Sequence, residues 1–278
     1  MRLLTLKSVL VATDLDEASP FALRTAARLA TLAGASLHLV HVADAPVPGG
    51  ESRLRELFRE IAPDAPGLES ARVVGGVPAE AIVEQAARVG ADVVILGPHR
   101  RGTGQTGELG STAASIVRTA PCPCLVTATE LLLPLERVIA AIDLSEAASG
   151  VLSVALSWAS ALRPRGGKAR LTALHVTPDP GEDTVRRVRE EVERARARAR
   201  DASFVEIHER LGPGSDPAGE ILRLAASDSA DLLAVGTRGA APPSSGLGSV
   251  SAAIARETPC PLLLVPPAAW MAQDAARV

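Results

Sequence analysis

The chain contains no tyrosine, three phenylalanines and two tryptophans, so aromatics make up 2% of its 278 residues. That scarcity removes the stacking platforms on which single-stranded nucleic acid is held. Basic residues are in no excess: Lys+Arg 29 stand against Asp+Glu 32, a net charge of −3, which creates no field for gripping a phosphate backbone. Three cysteines cannot build a disulfide framework. No apolar run reaches the ~18 residues that a membrane helix needs, and Met1–Ser8 lacks the apolar stretch of a signal peptide. These absences point to a cytoplasmic protein with neither a membrane nor a nucleic-acid partner. The Walker A pattern, Gly-x4-Gly-Lys-[Ser/Thr], is absent too. So is any glycine in the first strand–helix turn, Thr13–Ala18, where a dinucleotide-binding Rossmann site requires one.

What is present is aliphatic. Hydrophobic residues make up 47% of the chain and charged residues 22%, which suits an alanine-rich core with closely packed helices and sheets. The length suits two domains of ordinary size. The chain is also written twice. Val9-Leu-Val-Ala-Thr-Asp14-Leu-Asp-Glu-Ala18 returns as Val138-Ile-Ala-Ala-Ile-Asp143-Leu-Ser-Glu-Ala147. Leu39-Val-His41-Val42 returns as Ala173-Leu-His175-Val176, and Ala91-Asp92 with Gly97 returns as Ala230-Asp231 with Gly236. Gly110-Ser111 and Pro121-Cys122-Pro123 return as Gly248-Ser249 and Pro259-Cys260-Pro261. Blocks that recur in order, with small drifts in spacing, mean two homologous units that differ in loop length.

Within each unit short apolar runs alternate with segments of helical period. Strands are predicted at Ser8–Ala12, Leu37–Val42, Ala71–Val74, Asp92–Gly97 and Cys124–Ala128. Helices are predicted at Ser19–Ala33, stopped by Gly34, then at Ser52–Ile61, at Ala79–Val89 and from Ser111. The second unit repeats this with a longer helix at Asp183–Asp201. The alternation implies an α/β fold of two tandem units, each an open five-stranded parallel sheet with helices on both faces. The expected division is 1–130 for the first unit, 131–136 for a linker, 137–266 for the second unit and 267–278 for a tail bearing Trp270. The Leu131-Leu-Leu133 run is too apolar for a loose tether, so the units should pack as an intramolecular pseudo-dimer; a homodimer of whole chains stays open.

In an open parallel sheet ligands bind beyond the carboxyl ends of the strands. Asp14 and Asp143, Val42 and Val176, and Gly97 and Gly236 all fall there. Each of those last glycines opens a loop that leads to Gly110-Ser111 or Gly248-Ser249 at a helix start. Helix amides and the positive end of the dipole favour an anion at such a place, glycine lets the backbone approach phosphate closely, and the serine could cap the helix. Either feature alone is common in plain connections; their recurrence in both units is what points to a site. His41 and His175 read as buried, hydrogen-bonded side chains, and the cysteines as packing groups at a strand start. The seven arginines of Arg186–Arg200, offset by neighbouring acids, read as a solvated helix laced by ion pairs.

Together these blocks resemble the universal stress protein family, in its tandem form, from Lys7 to Val265. The likeness rests on Val-x-Asp near the first strand's end, His-Val ending the second, Ala-Asp-x4-Gly at the fourth, the loop pattern G-x2-G-x9-G-[S/T], and Pro-Cys-Pro before the last strand. The resemblance implies dimerisation through the last strand and, in one branch, ATP binding with Mg²⁺ on that loop by a stress regulator. Carried onto this chain, Asp14 or Asp143 would meet the adenosine, Val42 or Val176 the base, and Thr112 or Val250 the phosphate end. The first unit departs from the pattern by placing Arg100 at the middle glycine position, with Gly102 nearby. The second keeps Gly239 but shortens the next stretch to x8. The resulting expectation is an ATP-binding sensor that is not an enzyme beyond slow hydrolysis, with the second unit favoured. Against it stand a scaffold that binds no nucleotide, as in the family's other branch, and an adenylyl-transfer enzyme. The motifs of the latter, His-x-Gly-His and Ser-Gly-Gly-x-Asp, are missing.

Overall fold

A computed structural model describes residues 6–14, 19–45, 47–65, 67–97, 110–127, 129–145, 148–199, 202–237, 247–267 and 269. The first repeat runs β1 (Ser8–Ala12), α1 (Ser19–Ala33), β2 (Ser36–Val42), α2 (Gly50–Ile61), β3 (Ser70–Val74), α3 (Pro78–Arg88), β4 (Val93–Leu96), α4 (Ser111–Thr119) and β5 (Cys124–Val126). The second runs β6 (Arg137–Ala141), α5 (Ala148–Ala161), β7 (Ala169–Thr177), α6 (Glu182–Arg198), β8 (Val205–Pro213), α7 (Pro217–Ser227), β9 (Leu232–Gly236), α8 (Ser249–Glu257) and β10 (Leu262–Val265). The elements expected from periodicity are present, with ends shifted by a few residues.

All ten strands form one sheet in the order β3-β2-β1-β4-β5-β10-β9-β6-β7-β8. Pairing is parallel inside each repeat. The seam is antiparallel, with Leu262 opposite Val126, Leu263 opposite Leu125 and Leu264 opposite Cys124. The strands of one repeat therefore run against those of the other, and their carboxyl ends lie at opposite edges of the sheet. β4 and β10 are apolar throughout and β1 is apolar beyond Ser8, as a sheet covered on both faces requires. One face carries α1, α2, α5 and α6, and the other carries α3, α4, α7 and α8. Buried Ala22, Ala26, Ala27 and Ala30 bring α1 close to the strands.

The segment after β5 is docked. Leu131 and Leu135 are fully buried, and the Leu131 amide donates to Thr25 Oγ1 at 3.1 Å. The Glu130 carboxylate accepts from Arg24 Nε at 2.9 Å and lies 3.1 Å from Arg28 Nη1. Two buried leucines contribute about 3–6 kcal/mol, whereas half-exposed ion pairs contribute about 1 kcal/mol or less each. The leucines hold the segment down.

The Ala-Asp blocks have a structural role. Asp92 Oδ2 accepts from the amides of Lys7 (2.7 Å) and Ser8 (3.0 Å) at the start of β1. Asp231 Oδ2 accepts from Glu136 (2.8 Å) and Arg137 (2.7 Å) at the start of β6. Each carboxylate thus satisfies backbone donors left over at the head of the neighbouring strand.

Helices α3 and α7 end alike, but Gly90 at φ 58° in one is Ser229 at φ 50° in the other. A left-handed residue with a Cβ is strained by roughly 1–2 kcal/mol. Ser229→Gly is expected to raise stability by about 0.5–1 kcal/mol in urea titration, and Gly90→Ala to lower it by about 1 kcal/mol. Equal midpoints for both variants and the parent would contradict the assigned backbone.

Candidate functional site

Each repeat has a cavity where its β1- or β6-type strand meets the helix that follows the glycine loop. In the first repeat Asp14, Val42, Gly97, Gly110 and Thr112 line it, with Pro78 and Ile82 from α3. In the second, Asp143, Val176, Gly236, Gly248, Ser249 and Val250 line a cavity of about 290 Å³, with Pro217 and Ile221 from α7. The walls are mostly apolar with a few polar groups among them, the usual make-up of a small-molecule site. Ser111 is exposed on the first turn of α4 and is not part of the lining. Arg100, Gly102 and Gly239 lie outside the described residues, as does Trp270.

The serines do not cap their helices. Gly110 (φ −52°, ψ 151°) and Gly248 (φ −56°, ψ 148°) occupy the N-cap positions, and no side chain caps either helix. A serine one residue inside the helix already has helical dihedrals and stands past the position from which a side chain caps. By contrast, Asp216 caps α7, its side chain accepting from the Gly219 amide at 3.1 Å. The N-cap residues of α4 and α8 thus offer no side chain to the first-turn amides beside the cavities.

The aspartates are set by the strands. The ladder continues past β1 with the Thr13 amide donating to the Val40 carbonyl, and past β6 with Ile142 donating to Leu174. His41 donates from Nδ1 to the Thr13 carbonyl at 2.8 Å, and His175 donates likewise to Ile142 at 2.9 Å. Because a carbonyl only accepts, the Nδ1 atoms carry the hydrogen. Both half-buried histidines therefore brace the peptide just before the aspartate. Asp143 Oδ1 also accepts from the Ser145 amide at 3.0 Å. Between them Leu144 is left-handed (φ 58°), its carbonyl accepting from Arg187 Nη2 of α6 at 3.2 Å. Strain of this kind gathers at functional sites.

The model of the universal stress protein family matches residues 5–128 and again 134–266. The chain belongs to the universal stress protein family. A universal stress protein encoded in the 3′ region of a QAH/OAS sulfhydrylase gene in Thermus aquaticus is 35% identical over 136 residues, covering 43% of this chain and 97% of that one. A solved universal stress protein of Archaeoglobus fulgidus DSM 4304 superposes with a TM-score of 0.69 at 20% identity, covering 93% of this chain and 98% of the other. A functionally unknown protein of Pseudomonas aeruginosa PAO1 gives 0.70 at 21% identity, with 99% of both chains covered. The two structures speak for the fold, and the family for its tandem form.

Several site residues were not legible in advance. Pro78 and Pro217 reach the cavities because each opens a helix beyond the β3- or β8-type strand, a neighbour brought in only by sheet order. Arg187 carried no signal of its own within the arginine run. Elsewhere in that run Arg186, Arg194 and Arg196 pair with acids of α6 itself, whereas Arg189 reaches Glu209 on β8. Among the described residues no cluster of three or more His, Cys, Asp or Glu could hold a metal, and no helix is long and apolar enough to cross a membrane.

The three cysteines are free and buried. Burial pushes the Cys122 thiol up to about 12 and Cys260 to about 11, and holds Cys124 well above its ordinary value. At pH 8 the folded chain is therefore expected to react slowly with a thiol reagent, and all three groups to react promptly in guanidinium. A fast native phase would show that one of them is open.

Proposed function

We propose that this universal stress protein binds an adenine nucleotide, ATP with Mg²⁺, and acts as a stress-linked sensor or regulator rather than as an enzyme. The observation that carries the reading is the glycine N-cap of α4 and α8. It leaves first-turn amides without a side-chain cap beside an apolar cavity that ends in Asp14 or Asp143. Amides and helix dipole suit the phosphates, the apolar wall suits a base, and the aspartate suits ribose hydroxyls. The magnesium ion would travel with the phosphates, because the described residues offer it no ligand cluster of their own. Turnover would be slow at most: among the described residues, the lining contributed by Gly110 and α4 and by Gly248 and α8 includes no carboxylate and no histidine. A second reading, a scaffold without nucleotide, draws on Arg100 in the first loop and on the shortened second loop.

Asp at an N-cap is favourable for a helix, and at Gly110 and Gly248 the backbone φ is negative, so a side chain is tolerated. The double variant Gly110→Asp, Gly248→Asp is expected to fold at least as stably as the parent. Its carboxylates would take the amides themselves and repel phosphate, weakening Mg-ATP binding by about 100-fold or more in calorimetry. No heat of binding from the parent protein at millimolar Mg-ATP would leave the scaffold reading standing.

A further inference from the structure

The two repeats differ at the foot of the glycine loop, and the difference is ordered. In the second repeat Ser251, on the first turn of α8, donates its hydroxyl to the Gly236 carbonyl at 2.7 Å. The Gly248 amide donates to the Thr237 carbonyl at 2.9 Å, and the Thr237 amide to Val265 at 3.1 Å. The end of β9 and the start of α8 are thereby tied to each other, and Thr237 is tied to β10. At the place of Ser251 the first repeat has Ala113, which has no hydroxyl, and at the place of Thr237 it has Pro98, which has neither an amide hydrogen nor a hydroxyl.

A separate observation lies beside the second cavity. Among the buried side-chain oxygens and nitrogens that find no partner are Thr237 Oγ1 and Ser145 Oγ. One follows the lining residue Gly236, and the other stands two residues beyond the lining residue Asp143. Buried hydroxyls without a partner are uncommon and need a reason, and these two are near neighbours in sequence of Gly236 and Asp143, which line the second cavity. The first repeat has Asp16 and Pro98 at these places in the sequence. The rims differ as well: Asp216 caps α7 beside the second cavity, whereas α3 beside the first opens on Val77, which is 59% exposed and caps nothing.

We infer that the two sites are unequal: the second repeat holds the tight nucleotide site, with Ser251 as a positioning residue that holds Gly236 against the start of α8, and the first repeat binds more weakly. This rests on the nucleotide-binding reading above. Lining groups held in place before binding lose less freedom on binding, so affinity is higher for the same contacts. The same logic makes Ala113 the simplest place to improve the first site.

The test is calorimetric titration of the full chain with Mg-ATP. Two classes are expected, the first at one nucleotide per chain and about tenfold or more tighter than the second. Asp143→Ala should remove the tight class and Asp14→Ala the weak one. Ser251→Ala should weaken the tight class by about tenfold, Ser251→Thr should restore it, and Ala113→Ser should tighten the weak class. Two equal classes overturn the inference, as does a Ser251→Ala protein that unfolds at the parent temperature and binds as tightly. If Ser251→Ala does not fold, an Ala113→Ser protein with an unchanged weak class overturns it. Equal sites would leave the nucleotide-binding reading intact, whereas no binding at all would remove both.

Discussion

Three antiparallel residue pairs between β5 and β10 organise the molecule. Without them each repeat would present an apolar edge strand of bare amides and carbonyls, which is a template for aggregation. With them the two half-sheets become one, and the outer edges fall to β3 and β8. β8 carries Glu206, His208, Glu209 and Arg210, a charged strand unsuited to further pairing. The same seam dictates where ligands can go. Because parallel strands place their sites at carboxyl ends and the seam reverses direction, the two cavities open at opposite edges of the sheet. One ligand cannot bridge them, and coupling between them would have to cross the seam.

Around this frame the sequence uses small residues for two unlike purposes. On α1, alanines shorten the distance between helix and sheet. At Gly110 and Gly248, glycine removes a side chain that would otherwise cap the helix, so the amides remain for something else. At α7, by contrast, Asp216 caps the helix in the ordinary way. At α4 and α8 the glycine caps stand beside the apolar cavities, whereas α2 and α6 open on Gly49 and Gly181 away from them, also without a side-chain cap.

Much of the fold was legible because hydrophobic period and repetition are both local signals. The runs at Ser8–Ala12 and Ser19–Ala33 are bounded by polar residues and by Gly34, whose φ of 64° is the left-handed stop expected after a helix. Asp92 and Asp231 stood out only as a recurring letter. Their hydrogen bonds run to the heads of β1 and β6, more than eighty residues away in sequence, and no spacing rule reaches that far. The serine beside each site glycine was read as a cap, yet the glycine itself holds that position, because a shift of one residue separates capping geometry from helical geometry.

Composition, periodicity and the written-twice pattern determined the class of fold, the number of units and the residues that gather at each strand end, since all of these follow from side-chain chemistry and short-range spacing. The tertiary structure alone decided which groups answer one another across the chain: histidine to the carbonyl before the aspartate, Arg187 to the strained Leu144, Ser251 to Gly236. Those pairings depend on strand order and helix placement, and burial fixes them only when the whole sheet has assembled. That is why two repeats so alike in letters carry cavities that are not alike in construction.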